Sequence, residues 1–260
     1  MLKVMSFNIR YGLAEDGPQH WEQRKPLVKG RLEAFDPDLL GLQECRDDAQ
    51  AAFMRQTLPA HTFHAVRREG GGDPALEMAP AVWRTAAFEV LRQGCFWLSA
   101  TPAVAGSKSW DSVFARTATW VELRERASGR ALVFLNTHFD YQPQAIDAAA
   151  QLLARWVDET LAARPVIVTG DFNADKTLAA YLRLTASGRL VDAHRAGRAG
   201  GADEPTFHGF GQPGALTAID WLLVSEHFEV AAAAVDTYQA AGLYPSDHYP
   251  LTAVLTWKAA

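Results

Sequence analysis

A strand–helix–strand pattern occurs twice in this chain and narrows the folds open to it. Residues 2–9 are apolar and strand-like, residues 26–35 carry an apolar stripe at Leu27, Val28, Leu32 and Phe35, and residues 39–44 are apolar again and end on Glu44. The same order returns in residues 131–138, 143–161 and 166–173, where Ile146, Ala149, Leu153, Trp156, Val157 and Leu161 fall at three- and four-residue steps. Helical spacing between two β-branched runs reads as a βαβ unit, and its recurrence reads as an internal pseudo-repeat. Both units place polar residues at the ends of their strands. Two such halves packed sheet against sheet gather those ends at one edge.

The rest of the chain fits around the repeat as one domain over residues 1–260. Pro26 is expected to open the first helix, because a proline inside a helix costs about 3 kcal/mol and is welcome in its first turn. A further helix is expected over 47–58. Strands are expected at 62–66, 79–84, 88–91 and 96–99, and a hairpin pairs 116–123 with 131–137 across Ala127-Ser128-Gly129. Residues 219–224 and 249–255 supply two more strands. The segment from Arg68 to Pro74 is rich in glycine but lacks the Lys-Ser/Thr of a phosphate-binding P-loop. It reads as a hairpin loop in preference to a substrate-facing one.

Charge and cysteine content exclude some partners. The net charge is −5, whereas a protein that binds duplex DNA carries a basic footprint. Arg67-Arg68 and the loose set Arg183, Arg189, Arg195 and Arg198 read as solvated surface. Cys45 and Cys95 can build neither a disulfide framework nor a zinc site, and read as free thiols of a reducing, cytoplasmic compartment. No leader and no apolar run of membrane length are evident.

The strand ends and the loops near them present Asn8, Glu44, Asn136, His138, Asp140, Asp171, Asn173, Asp220, Asp247 and His248. In residues 166–173 the alternation of a strand points Asp171 and Asn173 one way and Phe172 the other. Carboxylates and amides without thiols are hard donors that suit Mg²⁺, with Mn²⁺ as a substitute. A phosphate ester is the natural substrate for such a cation combined with amide and imidazole donors. Taken singly, each residue has a plainer reading: Asn8 caps a turn, Glu44 pairs with an arginine such as Arg24, Asp220 is a structural hydrogen bonder, and Asp247-His248 caps a loop. Their joint occurrence favours a site.

Six segments occur in order: Ser6-Phe7-Asn8-Ile9-Arg10, Gly41-Leu42-Gln43-Glu44, Asn136-Thr137-His138-Phe139-Asp140, Gly170-Asp171-Phe172-Asn173, Ile219-Asp220-Trp221 and Ser246-Asp247-His248-Tyr249-Pro250. This series resembles the motifs of the endonuclease/exonuclease/phosphatase superfamily. Phe96-Trp97-Leu98-Ser99 and Trp21-x-x-Arg24 resemble its bacterial metal-dependent hydrolase branch. The resemblance implies a four-layer α/β/β/α sandwich with two packed mixed sheets, and a metal-dependent phosphoesterase acting on a diester or monoester through activated water. By the same resemblance Glu44, Asn8 and Asp247 hold the metal, and Asp171 activates the water. Asn173, His138 and His248 contact the phosphate, with Asp220 behind His248. Arg116 and Asn136 are expected on the substrate side, as is Asp140, and Trp110 is expected to stack on the substrate. Arg10 stands where abasic-site endonucleases carry an aspartate. It either donates to the anion or pairs with a neighbouring acid, and it argues for one dominant metal. His208 is read as loop surface in preference to cleft. Two other functions compete: a nuclease acting on single-stranded or short nucleic acid, and a non-catalytic member that binds phosphorylated ligands.

Overall fold

The computed structural model describes residues 1–69, 76–162, 164–198 and 202–259; the glycines and proline at 70–74 lie outside them. The first half of the chain runs β1 (Leu2–Asn8), α1 (Trp21–Phe35), β2 (Leu39–Gln43), β3 (Cys45–Arg46), α2 (Ala49–Thr57), β4 (His61–His64), β5 (Glu77–Met78), β6 (Ala81–Arg84) and β7 (Phe88–Trp97). The second half runs β8 (Thr117–Glu125), β9 (Ala131–His138), α3 (Pro143–Leu161), β10 (Val166–Asp171), α4 (Ala179–Thr185) and β11 (Leu190–Asp192). It closes with α5 (Ala193–Ala196), β12 (Asp220–Ser225), β13 (Phe228–Val235) and β14 (Leu251–Trp257).

Two six-stranded mixed sheets result, ordered β13-β14-β1-β2-β6-β4 and β11-β12-β10-β9-β8-β7. Each is built on a central parallel pair, β1 with β2 and β9 with β10, flanked on both sides by antiparallel neighbours. The parallel pairs are the two βαβ units of the sequence. Their registers set Asn8 beside Gln43 and Asp171 beside His138, so both units deliver polar side chains at one end. An apolar layer that includes Val4, Leu39, Trp83, Phe134, Ile167 and Leu222 fills the space between the sheets. The helices cover the outer faces, α1 and α2 over the first sheet and α3 and α4 over the second. The four-layer architecture follows from burying both faces of both sheets.

Near the site end the layer between the sheets turns polar and tight. Asn136 Oδ1 accepts from Gln43 Nε2 at 2.7 Å and from Thr169 Oγ1 at 3.0 Å, and its Nδ2 donates to the carbonyls of Leu42 at 2.6 Å and Pro80 at 3.0 Å. A Cβ on Gly41 would lie 2.1 Å from Thr169 Oγ1. Only glycine permits this approach of the two sheets. The belt fully uses the Asn136 amide, which is why that residue pins one sheet to the other and does not face substrate.

Three expectations differ from the structure in detail. Helix α1 begins at Trp21 and carries Pro26 inside it, because Trp21 packs in the core and Arg24 is anchored on backbone carbonyls. Those tertiary contacts outweigh one lost helical hydrogen bond. The strands expected at 88–91 and 96–99 are one ten-residue edge strand, β7, bulged between Val90 and Arg92. Its solvent-facing polar run hides the continuity. Arg183, Arg189 and Arg195 do sit at the surface, paired with Asp147, Asp158 and Asp203. No helix among the described residues is long and apolar enough to cross a membrane.

Candidate active site

The site forms where β1, β2, β9, β10 and β12 end, with loops on three sides. A cleft of about 580 Å³ opens there, lined among others by Arg10, Glu44, His138, Asp171, Asn173, Asp247 and His248. Three residues at or just past its strand ends sit at left-handed backbone angles, Arg10 at φ 58°, Glu44 at φ 58° and Asn173 at φ 48°. Such angles cost non-glycine residues energy and persist where the surroundings hold them. Here they turn each chain sharply at its strand end and aim the side chain into the cleft.

Asp171 lies at the centre. Its Oδ2 receives the Asn8 amide at 2.9 Å, and the Nε2 atoms of His138 and His248 stand 3.5 and 3.6 Å away. Its Oδ1 receives the Asn173 backbone N–H at 2.9 Å, which locks the turn after β10. Burial and the neighbouring Asp220 carboxylate push the Asp171 carboxyl above its usual range. Asn173 gives one amide hydrogen to the Phe139 carbonyl at 2.9 Å. The intervening Phe172 points into the core, stacked on Trp221 at 4.1 Å, as strand alternation requires.

The two histidines are held in opposite charge states. His138 Nδ1 accepts from Arg116 Nη1 at 3.0 Å, so the ring proton belongs on Nε2, facing Asp171. Burial and the Arg116 charge hold its pKa at about 3, so the ring is neutral. His248 Nδ1 donates to Asp220 Oδ2 at 2.8 Å. Burial alone would lower its pKa, but the carboxylates of Asp220 and Asp171 overcome this and raise it to about 10. Asp220, Asp171 and His248 place oxygens and a nitrogen within 4.8 Å of one another. The ring nitrogen that faces Asp220 carries a hydrogen bond, so this trio is a charge pair behind the cleft and not the better cation seat.

Glu44 and Asp247 are the other acids of the cleft that could hold a cation. Glu44 Oε1 accepts from Asn8 Nδ2 at 3.0 Å and Oε2 from the Tyr11 backbone N–H at 2.8 Å. Among the described residues no arginine or lysine lies within ion-pair distance of it. Burial and Glu77 act to raise the Glu44 carboxyl, while the Arg10 charge and the Asn8 amide act to lower it, and it stands below the usual range. Burial pushes the Asp247 carboxyl up, with Glu44 adding to the rise. Two hard carboxylates in one buried wall, each feeling the other's charge, could hold a divalent cation. The next residue, Cys45, points into the core, and burial raises its thiol to about 12. Asn8 turns its nitrogen to Glu44 and Asp171 and its oxygen to the Arg10 N–H at 2.9 Å. In this orientation Asn8 donates to both acids and holds them in place.

Arg10 lines the cleft but is engaged by acids, with Asp16 at 2.8 Å and Asp247 at 3.5 Å. Arg24 does not pair with Glu44. It donates to the carbonyls of Gln19, Ile9, Arg10 and Pro245, tying the end of β1 to the segment that carries Asp247. Asp140 stands outside the cleft and accepts the backbone N–H groups of Val113, Phe114 and Gln142, each at 3.0 Å. Trp110 is not in the wall. The aromatic lining comes from Phe114, Tyr141, Phe207 and Phe210. His208 is neither surface nor cleft wall but buried, stacked on Tyr249 at 3.9 Å. Sequence reasoning also missed Arg68 and Glu77, both buried and both in the cleft. They carry no periodic signal, and the pairing of Arg67 and Arg68 with β5 is what sets them beside Arg116.

The fold recurs in known proteins. An uncharacterized protein of Acanthamoeba polyphaga mimivirus is 27% identical over 200 residues, covering 68% of this chain and 69% of its own. The crystal structure of an endonuclease/exonuclease/phosphatase family protein from Bacteroides thetaiotaomicron superposes with a TM-score of 0.89 at 32% identity, covering 99% of this chain and 98% of that one. A mannosyl-6-phosphatase from the same organism superposes with a TM-score of 0.88 at 32% identity, covering 99% and 100%. The family model for the Endonuclease/Exonuclease/phosphatase family matches residues 5–248, and the chain belongs to that family.

Proposed function

We propose that the chain is a Mg²⁺-dependent phosphoesterase that hydrolyses a small phosphate ester by direct attack of water on phosphorus. The observation that carries this reading is Asp171, a buried carboxylate flanked by a neutral and a charged histidine at the floor of the cleft. A carboxylate whose proton affinity is raised by burial is suited to take a proton from water as the new O–P bond forms. The P–O bond to the leaving group then breaks, and its electron pair departs on that oxygen. His138 offers its Nε2–H and His248 its imidazolium Nε2–H to non-bridging oxygens, whose charge grows in the transition state. Asn173 has one amide hydrogen free of Phe139 for the same purpose. Asp220 keeps His248 charged and fixes its ring. Glu44 and Asp247 would hold the cation, with Asn8 setting the Glu44 and Asp171 carboxylates apart. When bound, Mg²⁺ supplies positive charge against the phosphate and leaving-group oxygens.

The phosphatase named among the structural neighbours makes sugar phosphates a sensible first class to assay in this open, aromatic-walled cleft. The test is a turnover screen of phosphomonoesters, diesters, phospholipid headgroups and oligonucleotides with Mg²⁺ or Mn²⁺, each repeated with chelator. Hydrolysis of at least one class that stops on chelation is the expected result. Hydrolysis that survives chelation at an undiminished rate would overturn the reading.

A further inference from the structure

The loop after Thr206 brings two phenylalanines to the cleft, Phe207 and Phe210, and the hydrolytic step uses neither. The loop is joined to the segment that carries Asp247 and His248. The backbone N–H groups of His208 and Gly209 donate to the Asp247 carbonyl at 2.9 and 3.2 Å, and that of Tyr249 donates to the Thr206 carbonyl at 2.6 Å. The Phe207 ring stands 4.9 Å from the His248 imidazole. His208 is buried, stacked on Tyr249 at 3.9 Å and packed against Tyr244 at 4.6 Å, and its Nδ1 accepts the Gly211 N–H at 3.2 Å. Three successive residues then take left-handed angles: Gly209 at φ 55°, Phe210 at φ 58° and Gly211 at φ 80°. Glycine does so freely, whereas phenylalanine is strained there. Core packing does not account for the strain. Phe210 is half-buried, belongs to none of the three core clusters, and among the described residues its ring meets no other ring. What the strained angle achieves is position, a phenyl ring in the cleft wall that Phe207 continues to His248.

We infer that Phe210, with Phe207 beside it, is the specificity-determining platform for a leaving group that bears a ring with an apolar face, aromatic or sugar. This rests on the phosphoesterase reading above and adds the class of leaving group. The phosphate itself offers only oxygens, which the histidines, Asn173 and a bound cation meet, and it has no apolar face to set against a phenyl ring. A ring carried by the ester does, and stacking or C–H contact on the Phe210 face removes apolar surface of both partners from water. The other aromatic wall of the cleft is less free to serve. The Phe114 ring already carries the Arg68 and Arg116 guanidiniums, with their carbons 4.3 and 5.2 Å from its centre, and meets Tyr141 edge-on at 6.2 Å. Phe210 therefore presents the open face, on a loop whose hydrogen bonds to the Asp247 carbonyl fix it relative to the phosphate site.

The experiment measures by calorimetry, with Mg²⁺, the Kd of three phosphonates that cannot be hydrolysed. Benzylphosphonate probes an aromatic face, cyclohexylmethylphosphonate the saturated C–H face of a sugar, and ethylphosphonate carries neither. At least one ring compound is expected to bind the wild type about 3- to 10-fold tighter than ethylphosphonate, and which one does so separates the two kinds of ring. In Phe210→Gly that preference should fall to within about twofold, and Phe210→Trp should keep it. Wild type that binds none of the three, or all three alike, overturns the platform, as does a preference that survives in Phe210→Gly. The same variant relaxes the left-handed angle, so its Tm is expected at or above that of the wild type. A fall of more than about 4 °C would show that the ring serves to hold the loop, and would also overturn the platform. Turnover plays no part in these measurements. A wild type that binds a ring phosphonate through Phe210 but hydrolyses no ester overturns the phosphoesterase reading alone.

Discussion

Replacing Arg24 with methionine is expected to destabilise the protein and weaken its hold on Mg²⁺ together. Arg24 is fully buried, and its guanidinium serves four backbone carbonyls, those of Gln19, Ile9, Arg10 and Pro245. A buried acceptor deprived of its donor costs about 1–3 kcal/mol. Against this stands the cost of burying the guanidinium, which lowers its pKa from 12.5 to about 10 and corresponds to about 3 kcal/mol that the variant no longer bears. Four such acceptors less that relief leave a net loss of roughly 1–9 kcal/mol, centred near 5. At about 2–4 °C per kcal/mol for a domain of this size, Tm should fall by about 10 °C. The same carbonyls belong to the turn after Asn8 and to the segment two residues before Asp247. Loosening them should raise the Mg²⁺ concentration needed for half-maximal activity, and Arg24→Lys should fall between the two proteins. Calorimetric unfolding and a Mg²⁺ titration check this. A Tm within about 2 °C of the wild type, with an unchanged Mg²⁺ midpoint, would refute the argument that Arg24 ties the two segments together.

Asp220→Asn should move the alkaline limb of the kcat/KM profile to lower pH, because Asp220 helps raise the His248 pKa to about 10. The folded value lies above the ordinary 6.5, so the contribution of charged His248 is complete below about pH 6.5 and is lost as pH rises through about 10; a limb that stays in place would contradict this. Gly41→Ala should cost about 1–3 kcal/mol or more in urea unfolding by overpacking the contact between the sheets, since its Cβ would meet Thr169 and Asn136. An unchanged midpoint would show that the sheets can part.

The fold was legible wherever apolar periodicity and strand ends coincided. The β1–α1–β2 and β9–α3–β10 units, the hairpin of β8 with β9, and the final strand all follow from short-range pattern. The positions of Asp171, Asn173 and His138 were legible at the ends of β10 and β9, and that of His248 from the segment that enters the final strand. Asn136 was misread because a strand position reveals the face but not the occupant: it meets Gln43 and Thr169 of the layer between the sheets. Arg68 and Glu77 were invisible as a pair, since nothing local distinguishes a buried guanidinium from a solvated one. The pair exists only once β5 brings Glu77 beside Arg116 and the segment carrying Arg68 returns over it.

The central claim is that Asp171 takes the proton of the attacking water, and Asp171→Asn tests it most directly. The substitution keeps the size of the side chain and its acceptance of the Asn8 amide while removing the base. With the best ester found, at saturating Mg²⁺, kcat should fall by roughly 100- to 10,000-fold, while calorimetry shows the fold and Mg²⁺ binding retained. A folded, Mg²⁺-binding variant that turns over within about threefold of the wild-type rate, far less than loss of a general base costs, would contradict the account.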